Sequence, residues 1–144
     1  MKTKFLPFLL FAFLIQPFYL SAQNAVPTDT RIENENAIIS TSIIDCVSEK
    51  NGTAKQYLSI SISNKLEQSI KVSFKREMWF AGDCVSCNSE SDEYVTTITL
   101  DPNQEISGTC DNRKDLRIFY RMMKLKGVRQ LTHFELKNIN IQKL

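Results

Sequence analysis

Tyr57-Leu58-Ser59-Ile60-Ser61-Ile62-Ser63 alternates apolar and polar residues without a break. Successive side chains of a strand point to opposite faces, so a period of two buries Leu58, Ile60 and Ile62 and leaves the serines outward. A helix repeats every 3.6 residues and would scatter this pattern around its circumference. The stretch is a half-buried strand, and the rest of the chain can be read outward from it.

Upstream, residues 38–46 are rich in β-branched side chains and lead into a turn at residues 49–53, where Asn51-Gly52 is a strong hairpin signal. Downstream, residues 64–68 turn the chain into a third run, residues 70–80. Ile70, Val72 and Phe74 alternate there with Lys71, Ser73 and Lys75. The alternation falters near residues 76–79, which predicts a bulge or a change of exposed face. A polar loop, residues 81–93, carries Cys84-Val85-Ser86-Cys87. Further runs follow at residues 94–100, 105–109, 116–123 and 133–142, separated by Asp101-Pro102-Asn103-Gln104, by residues 110–113 and by a loop around Lys126-Gly127. No segment reads as an amphipathic helix. About seven short strands at this spacing predict an all-β fold, a two-sheet antiparallel sandwich over residues 37–144, with an up-and-down barrel as the alternative.

In strand count and length the sandwich resembles an immunoglobulin-like or fibronectin type III-like domain in architecture. The immunoglobulin arrangement of two mid-strand cysteines around a buried Trp is missing, because Cys46 and Cys110 stand at strand ends.

The N-terminus reads as an export signal. Lys2 and Lys4 precede an apolar stretch that runs to the small residue Ala22, broken by Pro7 and Pro17. The retained-anchor alternative asks two prolines to sit in a barely long enough span. Residues 1–22 are therefore expected to be removed, residues 23–36 to form a polar arm, and the product to be secreted or periplasmic with no membrane span. The signal holds two of the eighteen basic residues and none of the sixteen acidic ones. The remainder is formally neutral, which gives no electrostatic case for a nucleic acid partner.

Four cysteines remain. If every connection reverses the chain, Cys46, Cys84, Cys87 and Cys110 all fall at one pole of the sandwich. An even number of thiols in an oxidising compartment predicts disulfides. Three pairings are open. Chain entropy favours long loops, since a Cys84–Cys87 ring is worth roughly 2 kcal/mol and a bond from Cys46 or Cys110 into that loop about 3.5 to 4 kcal/mol. The lean is thus towards Cys46 and Cys110 each pairing with one member of the Cys84/Cys87 loop. A zinc site would use a second C-x-x-C that the chain lacks. A redox-active C-x-x-C needs a lowered thiol pKa, which the flanking Asp83 and Glu90 oppose.

Other chemistry has little support. His133 is the single histidine, and no G-x-S-x-G, H-E-x-x-H, P-loop or G-x-G-x-x-G occurs. No catalytic residue, metal or cofactor is assigned. Asp83, Glu90, Asp92, Glu93, Asp111 and Asp115 gather around the cysteine pole but lack calcium-loop spacing. Lys124, Lys126 and Arg129 share a loop expected at the opposite pole. Trp79, Phe80 and Tyr94 at strand ends either close the core under a loop or form a platform for a carbohydrate or protein partner. The function expected is non-enzymatic binding. The alternatives are an envelope-associated structural domain and a thiol-redox protein using Cys84 and Cys87.

Overall fold

A computed structural model of the chain describes residues 31–144; the expected signal and residues 23–30 of the expected arm lie outside the described residues. The frame of the fold is the hairpin of β2 (Ala37–Ser48) and β3 (Thr53–Asn64), paired from Ala37 opposite Asn64 to Ser48 opposite Thr53. Gly52 closes its turn at φ +60°, a conformation that costs a residue without Cβ little, and its N–H donates to Glu49 O. Alternation sends Leu58, Ile60 and Ile62 inward, each fully buried.

Beyond β2 lies β1 (Arg31–Glu33), paired with Ile38, Ile39 and Ser40. Among the described residues the sheet thus includes Arg31–Glu33, inside the stretch expected as a polar arm. Ile32 packs on the core, and Asn34 Oδ1 accepts the N–H groups of Asn36 and Ala37 to turn the chain into β2. Three residues are too few for periodicity to reveal such a strand.

On the other side of β3, β7 (Glu105–Ser107) and β8 (Arg117–Met122) lie end to end. β7 pairs with residues 61–63 and β8 with residues 55–59, both antiparallel to β3. They are two halves of one edge line and run the same way. The assumed reversal at every connection fails here, so the loop after β8 lies at the cysteine pole and not opposite it.

The second sheet is built on β4 (Ile70–Phe80). β6 (Val95–Leu100) and β5 (Asp83–Cys84) follow one another along one side of it, and β9 (Leu131–Lys143) runs along the other. Among the described residues nine strands stand where about seven were expected, the additional ones being the short β1 and β5. The inward residues of both sheets, among them Leu58, Ile60, Ile62, Ile70, Val72, Phe74, Ile98 and Leu100, form one buried cluster. The architecture is a two-sheet antiparallel sandwich. β4 itself keeps its alternation to the end, with Met78 and Phe80 against the core. The irregularity expected on β4 belongs to its partner. Asn138 and Ile139 of β9 together oppose Phe74, and Thr132 is extra at the step between Trp79 and Phe80.

Two disulfides sit at one pole on opposite outer faces. Cys46, in register with outward Lys55, bonds Cys110 with Cα atoms 5.5 Å apart. Cys84, in register with outward Trp79, bonds Cys87 with Cα atoms 5.8 Å apart. The pairing expected from chain entropy is therefore corrected. The thickness of the sandwich separates the two pairs, and geometry decides before entropy can. The segment leaving β7 folds over the outer face of β3 to reach β2: Ser59 Oγ donates to Gly108 O at 2.7 Å, and Arg117 donates to the carbonyls of Thr109 and Cys110. Gly108 is required there, since a Cβ would fall 2.2 Å from Leu116 O.

Candidate functional site

The β8–β9 loop, residues 123–130, alternates apolar and cationic side chains: Met123, Lys124, Leu125, Lys126, Val128, Arg129. Because β8 does not reverse, this loop stands over the ends of β3, β4 and β8. Met123 N–H donates to Ala54 O, and Ala81 N–H to Gln130 O. An open cleft of about 720 Å³ lies there, lined by Arg121, Met123, Leu125, Lys126, Val128 and Arg129 together with Ala81, Met122 and Thr132 among others. Its apolar groups are unusually open to solvent: Met123 is 42% exposed, Leu125 59% and Val128 42%. Val47, 62% exposed, lies on β2 opposite the Ala54 whose carbonyl holds Met123.

The cations differ in how they are held. Arg129 Nε and Nη2 donate to Phe80 O at 3.2 and 3.1 Å, its guanidinium stands over the Phe80 ring, and Asp83 is 3.8 Å away. Arg121 donates to Gln56 Oε1, and Gln56 Nε2 donates to Asp45 Oδ1, a polar row across β8, β3 and β2. Lys124 and Lys126 are exposed and make no ion pair among the described residues.

The outer face of the second sheet carries a different group. The row Cys84, Trp79, His133 crosses β5, β4 and β9 in register. The indole and imidazole rings are 4.7 Å apart and tilted by 58°. His133 Nε2 is 3.1 Å from Glu135 Oε1, and Glu135 also pairs with Lys137. Those two partners hold the Glu135 carboxyl below its ordinary pKa, Lys137 contributing most. Behind Cys84 the chain is stitched to β4: Val85 N–H donates to Met78 O, Met78 N–H to the buried Ser86 Oγ, and Lys75 Nζ to Cys87 O.

The three aromatic residues singled out from the sequence do not meet. Trp79 is half-buried on the outer face, and Phe80 points inward against the core. Tyr94 ends a short 3-10 turn (Asp92–Tyr94) before β6 and neighbours Arg76. Glu93, bonded to the phenol, raises the Tyr94 pKa, while burial lowers that of Arg76, whose Nη2 donates to Glu93 O. Nor do the acidic residues converge. Asp83 turns to Arg129, and Asp115 bonds Arg113, which lowers the Asp115 pKa. No group of three or more His, Cys, Asp or Glu among the described residues is placed to share a metal ion. Sequence reasoning found Lys124, Lys126 and Arg129 but missed the apolar residues interleaved with them. The alternation in residues 123–129 was the available signal.

No family model and no curated protein sequence matches the chain. Among solved structures it is similar to the crystal structure of a DUF1425 family member from Shewanella sp. pv-4, with 11% identity and a TM-score of 0.40 over 78% of this chain and 87% of that one.

Proposed function

We propose that the chain is an exported, non-enzymatic binding module that takes an acidic, partly apolar segment of a partner protein in the cleft at the cysteine pole. One observation carries this reading. Exposed Met123, Leu125 and Val128 stand around a concavity beside Lys126, which makes no ion pair among the described residues, with Lys124 next to it in the loop. Clustered exposed apolar groups mark interaction sites, and unpaired cations select acidic ligands. A protein segment fits better than a sugar, whose faces stack on aromatic rings, because residues 121–132 contain none. Two disulfides, and the lack among the described residues of a helix long and apolar enough to cross a membrane, support an extracytoplasmic setting.

The test is fluorescence anisotropy with a labelled peptide of alternating Glu and Leu, and with heparin as a polyanionic sugar. The peptide is expected to bind, and Lys124→Glu with Lys126→Glu to weaken it about ten-fold. Peptide binding that ignores both reversals would remove the cleft from the account. Heparin binding without peptide binding would assign a carbohydrate partner, and binding of neither would leave the structural, envelope-associated reading.

A further inference from the structure

The Cys84–Cys87 bond is one of several contacts that hold its loop. The loop that holds it is fixed by other contacts: Val85 N–H to Met78 O at 2.9 Å, Met78 N–H to Ser86 Oγ at 2.9 Å, and Lys75 Nζ to Cys87 O at 3.0 Å. Ser86, between the two cysteines, is fully buried and anchors the loop from within. Both cysteines are partly exposed on the outer face of the sheet. The backbone N–H of Cys87 donates to Cys84 Sγ at 3.0 Å. A donor aimed at sulfur stabilises the thiolate once the bond opens, and the better-stabilised thiolate is the better leaving group.

The charges around the pair answer the objection raised by its acidic neighbours. Asp83 is drawn towards Arg129, 3.8 Å away, and Glu90 is exposed in the loop beyond Cys87. On β4 the Lys75 ammonium lies against the Cys87 carbonyl, with Glu77 3.8 Å from it. On β9, Glu135 is occupied by His133 and Lys137. A cation is therefore held at the backbone of Cys87, and the acids near the pair each have a cationic partner or face solvent.

We infer that Cys84 and Cys87 form a reversible thiol–disulfide exchange site for a dithiol partner, separate from the structural Cys46–Cys110 bond. In the exchange a thiolate of the dithiol attacks Cys87 Sγ, the Cys84–Cys87 bond breaks, and Cys84 leaves as a thiolate under the Cys87 N–H. The second thiol of the partner then attacks the mixed disulfide and releases Cys87. The partner becomes a disulfide, and its two electrons and two protons pass to Cys84 and Cys87, which end as thiols. This goes beyond the binding role and does not rest on it.

Dithiothreitol serves as the dithiol probe on the folded, oxidised chain, with iodoacetamide trapping and peptide mass spectrometry as readout. Cys84 and Cys87 should become alkylated at least ten-fold faster than Cys46 and Cys110, while the far-ultraviolet circular dichroism of the sheets is retained. After reduction, the rate of Cys84 alkylation should rise with pH about a midpoint below the ordinary thiol value of about 8.5. Glutathione disulfide should restore the bond. The inference fails if the two disulfides reduce together, if the sheets unfold as Cys84–Cys87 opens, or if the midpoint lies at or above the ordinary value.

Discussion

Asn64 shows how much one polar side chain can organise at the pole opposite the cysteines. It continues the inward face of β3 beyond Ile62, where an apolar residue would be the simple choice, and it is 2% exposed. Its Nδ2 donates to Gln68 O and Asp101 O, and its Oδ1 accepts from Leu66 N–H. One amide thereby satisfies the turn between β3 and β4 and the turn after β6, backbone groups that would otherwise be buried without partners. Asn64→Asp keeps the shape but replaces a donor by an acceptor and sets a carboxylate against two carbonyls. We expect it to destabilise the fold by about 2–4 kcal/mol, measured by guanidinium unfolding. A loss under about 1 kcal/mol would mean that water serves those carbonyls equally well.

At the scale of the element, β9 shows a fold feature that the sequence contained in coded form. After Leu131, its apolar residues are Phe134 and Leu136, then Ile139 and Ile141, so the parity of the inward face switches between 136 and 139. A regular strand would turn one pair outward. The bulge at Asn138 and Ile139 absorbs the switch, and all four side chains reach the core. Asn138 has φ +53°, a left-handed conformation that Asn tolerates and β-branched residues resist. Asn138→Val is therefore expected to cost about 1–2 kcal/mol in the same unfolding experiment, and Asn138→Gly close to nothing. Equal losses for both would show that the Asn side chain matters and the backbone conformation does not. Long alternating runs such as residues 57–63 and 70–75 were fully legible, because each carries its period within itself. The three-residue β1 and two-residue β5 were not, since their pairing is a property of the neighbours. The interleaved residues of the cleft were legible one by one, but their position depended on β7 and β8 sharing a line, which no local pattern encodes.

Across the whole molecule, a formal net charge of only +2 averages over charges that the fold sorts. The β8–β9 loop brings Lys124, Lys126 and Arg129 to the pole of the cysteines, where Asp83, Glu90 and Asp111 also stand, so charges of both signs meet at that end. The two disulfides at that end also divide their labour by loop size. Cys46–Cys110 joins residues 64 apart and ties the β7–β8 excursion across β3 to β2. Cys84–Cys87 closes a separation of 3 within a loop already held by β4. Removing the first restores a large share of the unfolded chain's freedom, about 4 kcal/mol in the loop-entropy model, and removing the second about 2 kcal/mol at most. Each segment keeps its hydrogen bonds when its disulfide is removed, residues 108–110 those from Ser59 and Arg117 and Val85 and Ser86 those with Met78, so loop size decides the difference. Cys46→Ala with Cys110→Ala should accordingly lower the guanidinium unfolding free energy by roughly twice the loss for Cys84→Ala with Cys87→Ala. The reverse order would make the small ring the structural bond, and the exchange site would then have no disulfide free to open.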